Sequence, residues 1–303
     1  MIKWKGQQME NNDAFSGYNP VANFMFFIGA VVFGMFFTHP AFLLCSILLS
    51  CSCYITVKGT SGWKFIAGMI PVFVIISLFS PLFNPNGEIV LFTYFGGRHY
   101  TLESLYYGIV LAAMFVSVMI WFASYNIVMT TDKFLYIFGR TAPSVSLVLS
   151  MIMRLIPAFQ KKILQIASAR MCIGKAGDLG SKREKAENSM TVISALTSWA
   201  LEGGIITADS MRSRGYGAGK RSSFAIYRFT RRDILLVLVM GLSMAAIIFC
   251  GTMGGMKYIP GEAAALSSVY TRAGLLIYVV FLATPTVINI MEAITWRILK
   301  SRI

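Results

Sequence analysis

The sequence predicts an all-α integral membrane protein with about six transmembrane helices and long amphipathic helices on its cytoplasmic side. Three observations point there. Hydrophobic residues make up 56% of the 303 and charged residues only 13%, a larger apolar share than a soluble core of that length uses. Six apolar runs have the length of a bilayer crossing. All but three of the 27 Lys and Arg fall on one side of those crossings.

The runs are 21–37, 41–57, 65–83, 104–129, 234–250 and 273–291. A helix rises about 1.5 Å per residue, so each can cross a hydrocarbon core of roughly 30 Å. Thr38, His39 and Pro40 join the first two runs in so tight a turn that a shallow re-entrant hairpin is an open alternative to two crossings, because proline lacks a donor and restricts its predecessor. Six crossings put both termini on the same side. With the N-terminus in the cytoplasm, Lys3, Lys5, Lys58, Lys64, every Lys and Arg of 131–232, and Arg297, Lys300 and Arg302 lie inside, and only Arg98, Lys257 and Arg272 lie outside. That asymmetry follows the positive-inside rule. The net charge of +14 therefore reflects topology and does not argue for nucleic acid.

Residues 1–19 are polar and carry Glu10 and Asp13, so no cleavable signal is expected and the first helix serves as its own insertion signal. Cys45, Cys51 and Cys53 fall in the second run, Cys250 in the fifth and Cys172 in the cytoplasmic part. His39 and His99 are far apart in sequence. No spacing suits a zinc site, and no metal, catalytic or cofactor-binding residue is expected. In the outer loop, 84–104, an NPNG turn, the alternating IVLFTYF and the following GGR read as a small hairpin on the outer bundle surface.

The chain divides into an N-terminal part with four membrane helices (1–130), a cytoplasmic region (131–232) and a C-terminal part with two more (233–303). The middle region has two amphipathic stretches. In 141–170, Val148, Ile152, Leu155, Ile156, Phe159, Ile163 and Ile166 recur at helical spacing, while Arg154, Lys161, Lys162 and Arg170 limit its depth. Pro157 predicts a bend. After a Gly- and Lys-rich turn at 174–182, a second helix of about 183–212 carries Met190, Ile193, Leu196, Thr197, Ala200, Leu201, Ile205, Ala208 and Met211 on its apolar face. Gly203 and Gly204 offer it a bend or a close crossing.

Each stretch ends on an arginine: Ala169-Arg170 closes the first, Ser213-Arg214-Gly215 the second. Cations at a helix C-terminus complement its dipole, a following glycine supplies the left-handed cap, and anionic headgroups attract the same charges, so capping and lipid contact each account for an arginine there. The segment ADSMRSRGYG, its preceding long helix, the earlier ASAR and the opening YNPVANFMFF with its HP turn resemble the transmembrane T component of energy-coupling factor (ECF) type ABC transporters, over essentially the whole chain.

That resemblance implies two coupling helices whose terminal arginines dock on a pair of ABC ATPases. Ala169, Arg170, Ser213, Arg214 and Gly215 are then the ATPase-coupling residues. The family pattern is Ala-Arg-Gly; here Met171 follows Arg170 and Ser213 precedes Arg214. Met171 leaves open whether the first helix stops at Arg170 or runs on to Gly174. The stripe Val148, Ile152, Leu155 and Phe159 is expected to meet the membrane bundle or a substrate-binding S component, with Met151 and Met153 adding adaptability. ATP would be bound by the partner subunits, since GKAG at 174 and GAGKRSS at 217 lack the full phosphate-loop pattern.

Two other readings compete. One is an integral membrane enzyme with a cytoplasmic active site, for which Asp178, Glu184, Glu187, Glu202 and Asp209 supply carboxylates but no paired or His-linked arrangement. The other is a stand-alone secondary transporter, for which neither internal repeats nor charged broken helices are visible. The sequence does not distinguish a vitamin from cobalt or nickel as cargo. The expected location is a prokaryotic cell membrane, with both termini cytoplasmic.

Overall fold

The computed structural model describes residues 14–83, 89–94, 98–174, 181–219, 227, 229–254 and 268–300. The polar N-terminal stretch to 13, the NPNG turn, most of the Gly- and Lys-rich turn, and Lys220, Arg221 and Lys257 lie outside them. Two units emerge: Met1–Phe134 with Tyr227–Ile303, and Leu135–Ile226.

The first unit opens with a single 3-10 turn, Phe15–Gly17, followed by α1 (Pro20–Phe36) and α2 (Pro40–Lys58). Both helices start on proline at the first position, where its missing N–H costs nothing. Asn19 Oδ1 accepts from Val21 N at 3.0 Å and His39 Nδ1 from Ala41 N at 3.2 Å, so each preceding residue caps its helix. A second 3-10 turn, Gly59–Ser61, leads into α3 (Gly62–Phe83). The two strands of the expected hairpin form as β1 (Val90–Tyr94) antiparallel to β2 (Arg98–Thr101), with Tyr94 opposite Arg98. Next come α4 (Leu102–Val128) and the short α5 (Thr131–Thr141), which passes into the second unit after Phe134. After the second unit, α8 (Arg231–Gly254) and α9 (Val269–Lys300) complete the first.

Within this unit α3 packs on α4, α2 on α4 and α9, α1 on α4 and α8, and α8 on α9. An aromatic cluster fills the centre: Phe26 meets Phe15, Trp121 and Phe281 at ring separations of 5.5, 5.5 and 5.2 Å, and Tyr278 meets Phe37 and Phe42. Ser46 Oγ lies 2.6 Å from Ser117 Oγ and accepts from Trp121 Nε1, a buried polar tie between α2 and α4. Gly108 lets α3 and α4 approach closely, for an added Cβ would stand 2.6 Å from the Ser77 carbonyl oxygen.

Seven helices among the described residues are long and apolar enough to cross a membrane: α2, α3, α4, α8, α9 and the two long helices of the second unit. The sequence reading differs by including α1, which at 17 residues is a shorter apolar helix, and by excluding the latter two. Those two qualify because their charges are unevenly spread. The first half of 143–172 carries Arg154 alone.

The second unit contains α6 (Pro143–Cys172) and α7 (Lys182–Ser213). The Glu184 carboxylate accepts from Ser181 N at 2.7 Å, closing the first turn of α7. The chain passes through Gly203 and Gly204 as unbroken helix, and open space lies beside both, so the close crossing they offered is not made among the described residues. The helix-to-helix seam uses other residues.

Candidate functional site at the ends of α6 and α7

Among the half-buried side chains are Phe159, Lys162, Ile166 and Arg170 on α6 and Asn188, Val192, Leu196 and Trp199 on α7. Their spacing of three and four residues puts each set on one helical face. Arg170 Nη2 donates to Asn188 Oδ1 at 2.6 Å. Phe159 meets Trp199 edge to face at 5.6 Å, and Lys162 Nζ lies 5.5 Å from the centre of the same indole. Moving eleven residues back along α6, from 170 to 159, matches moving eleven forward along α7, from 188 to 199. The helices therefore pair antiparallel along this seam.

Most of the apolar face expected for α7 lies elsewhere. Met190, Ile193, Leu201 and Ile205 are exposed, whereas Leu196 is in the seam. On α6, Val148, Ile152 and Leu155 are also exposed. Phe159, the fourth member of that stripe, turns instead to Trp199.

The two arginines occupy unlike positions. Arg214 is the C-cap of α7 and is exposed. Gly215 follows at φ +79°, its N–H donates to the Arg212 carbonyl at 3.0 Å, and Tyr216 N donates to the Met211 carbonyl at 3.0 Å. These two bonds make a Schellman cap, which satisfies the last carbonyls of the helix and turns the chain sharply away. Ser213 Oγ donates back to the Asp209 carbonyl at 2.8 Å, so its hydroxyl is occupied within the helix. Arg214 thus stands at a trimmed helix end with its guanidinium in solvent.

The first helix does not stop at Arg170. It runs to Cys172, Ile173 is the C-cap, and Gly174 takes the left-handed conformation at φ +76°. Glycine is displaced by three residues relative to the second signature, because Met171 and Cys172 continue the helix. Arg170 sits in the last turn, half-buried and committed to Asn188, and its Nε is buried without a partner among the described residues. Ala169 beside it is exposed.

Sequence reasoning missed Asn188 and Trp199. An asparagine and a tryptophan eleven residues apart on one helical face were the available signal, masked by the stronger Met-Ile-Leu stripe of the neighbouring face. Among the described residues no group of three or more His, Cys, Asp or Glu could hold a metal ion. The lysines of GKAG and GAGKRSS fall outside the described residues.

A set of apolar helices long enough to cross a bilayer, built around a buried aromatic core, defines a multi-pass membrane protein. The model of the cobalt transport protein family CbiQ matches residues 16–225, more than half of the chain and all of α1 to α7. The chain belongs to the CbiQ cobalt transport protein family and is a membrane transport component. That agrees with the resemblance carried by ADSMRSRGYG and YNPVANFMFF. No match is found among curated proteins.

Proposed function

We propose that this chain is the transmembrane energy-coupling T component of an ECF-type ABC importer for a vitamin or a metal ion. The observation that carries the reading is Arg214, an exposed guanidinium on a helix end that a Schellman cap has cleared of following side chain. Arginine offers five donors in a fixed planar fork and keeps its charge, so a helix end bearing it can be held by carboxylates or carbonyls of a partner in one orientation. In this reading Ala169, Arg170, Ser213, Arg214 and Gly215 face two ABC ATPases. The ATPases bind and hydrolyse ATP, and this chain is non-catalytic.

The antiparallel α6–α7 seam gives the pair the stiffness of a lever. The exposed Val148, Ile152 and Leu155 supply an apolar surface for an S component that carries the cargo, with Phe159 anchoring the stripe to α7. The basic excess of 131–232 favours a cytoplasmic position for α6 and α7 and for both termini, in a prokaryotic cell membrane.

Purification of the chain from its native membrane in mild detergent, with mass spectrometry of what accompanies it, tests the reading. ABC ATPases and a small membrane protein holding a vitamin or metal ion should be recovered together. A chain that transports cargo alone in proteoliposomes, without any ATPase, would contradict it.

A further inference from the structure

The polypeptide leaves the first unit after Phe134 and re-enters it at Tyr227. Two buried charged side chains stand next to these points. Lys133 is only 5% exposed, and its ammonium donates to the Ser16 carbonyl at 2.6 Å, to Ser16 Oγ at 2.7 Å and to the Val128 carbonyl at 2.9 Å. Asp233, equally buried, accepts from Asn19 N at 3.1 Å through Oδ1, and from Thr230 N at 2.9 Å and Thr230 Oγ1 at 2.7 Å through Oδ2. Lys133 and Asp233 therefore grip the same short segment, Phe15 to Asn19, from the outgoing and the returning chain. A third grip comes from α9, where Asn289 Oδ1 accepts from Phe15 N at 2.9 Å.

A lysine and an aspartate taken out of water need their hydrogen bonds filled; here Lys133 bonds to Ser16 and Val128, and Asp233 to Asn19 and Thr230. Between α4 and α5 the helix breaks at Met129 and Thr130, where Met129 is extended, so that without the lysine the outgoing chain would have a natural pivot. The bonds of Lys133 span that break, joining the end of α4 to Ser16.

We propose that Lys133, with Asp233 and Asn289, forms a buried joint on Phe15–Asn19 that passes movement of the outgoing and returning chain into α1, α8 and α9. Lys133 is the positioning residue of the joint. The proposal rests on the energy-coupling reading, in which a driven movement reaches the first unit through this root.

The test uses the complete transporter, co-purified with its ATPases and reconstituted in proteoliposomes. Lys133→Met keeps the length of the side chain and removes the three bonds. ATPase recovery and ATP hydrolysis should stay near wild type, while cargo uptake per ATP hydrolysed falls about tenfold or more, on the usual strength of charge-assisted bonds. Uptake per ATP equal to wild type would overturn the joint and leave the energy-coupling reading standing; absence of ATPases from the wild-type preparation would overturn both. Should Lys133→Met fail to insert, Asn289→Ala releases the grip on Phe15 N: lowered uptake per ATP supports the joint, and unchanged uptake per folded complex overturns it. Hydrogen exchange on the full-length chain gives a readout independent of partners. Lys133→Met should speed exchange of the Phe15 and Asn19 amides, which bond to Asn289 and Asp233 and not to Lys133; unchanged exchange there would show that the three grips do not act as a unit.

Discussion

Arg170 Nη2 bonds to Asn188 Oδ1 at 2.6 Å, near the start of α7, whereas Arg214 caps the far end of the same helix. The two positions on α7 are separated by 214 − 188 = 26 residues, and at 1.5 Å per residue that is roughly 39 Å. The arginines of the two signatures therefore lie at opposite ends of the helical pair. A single small binding site cannot span such a distance. Two separate partner surfaces, one for each end, fit it.

Gly215 supplies the turn that leaves Arg214 at the tip. Its φ of +79° is a conformation that β-branched residues adopt at a cost of about 1–2 kcal/mol, while open space surrounds the position where a Cβ would be. Gly215→Val should thus act through the backbone alone, fraying the last turn of α7 and lowering ATPase recovery. Gly215→Asn, which tolerates the left-handed conformation, should retain most of it. Hydrogen exchange of the Gly215 and Tyr216 amides, read beside ATPase pull-down, checks both variants; equal recovery for valine and glycine would remove the cap from the account.

Much of this geometry was open to the sequence. The Thr38-His39-Pro40 turn marks the junction of α1 and α2, and the apolar spacing placed α6 and α7 to within about two residues of their ends. What stayed hidden depends on partners distant in the chain. Phe159 reads as one of four equivalent stripe residues until Trp199 is seen beside it, and nothing near Arg170 in sequence announces Asn188. Gly203-Gly204 suggested a crossing on composition, but no neighbouring element comes close. Lys133 looked like one more inner-surface cation; its burial follows from the position of Ser16, over a hundred residues earlier. The short α5 was passed over because its eleven residues mix Asp132, Lys133 and Arg140 with only a one-turn apolar face.

The exposed stripe of α6 is the surface proposed for the S component. Ile152→Asp or Leu155→Asp places a charge where an apolar contact would otherwise be buried, a change that costs several kcal/mol in a dry interface. Recovery of the S component should fall sharply while the ATPases remain bound, because Ile152 and Leu155 are exposed and outside the Phe159–Trp199 seam. Quantitative mass spectrometry of the purified complex measures both. Parallel loss of both partners would indicate collapse of the helix pair.

His39 links stability to pH. Its ring is buried, which pushes its pKa below the ordinary 6.5, and Nδ1 must be unprotonated to accept from Ala41 N. A base with a depressed folded pKa favours the folded state fully above 6.5, and this contribution is lost as pH falls through the lower folded value. The unfolding temperature in detergent should therefore drop between pH 7.5 and pH 5, with a helix-cap contribution of about 1 kcal/mol at stake. His39→Asn caps without titrating and should flatten that part of the profile. An unaltered pH profile in the variant would exclude His39 as the source.

The most direct test of the energy-coupling account is ATPase recovery with Arg214→Glu, set against Arg221→Glu as the control. Arg221 is seven residues on, outside the described residues and outside the signature, and it carries the same charge in the same basic segment. Reversing a charge that is oriented in a partner's surface disrupts the contact, whereas attraction to anionic lipid is shared among many cations and changes little with one. Arg214→Lys adds a third point, since it keeps charge and cap but not the planar fork. The account predicts that Arg214→Glu loses most of the ATPase and ATP-driven uptake with normal membrane insertion, that Arg214→Lys loses a clear part, and that Arg221→Glu remains close to wild type. Equal ATPase recovery from Arg214→Glu and Arg221→Glu would contradict it.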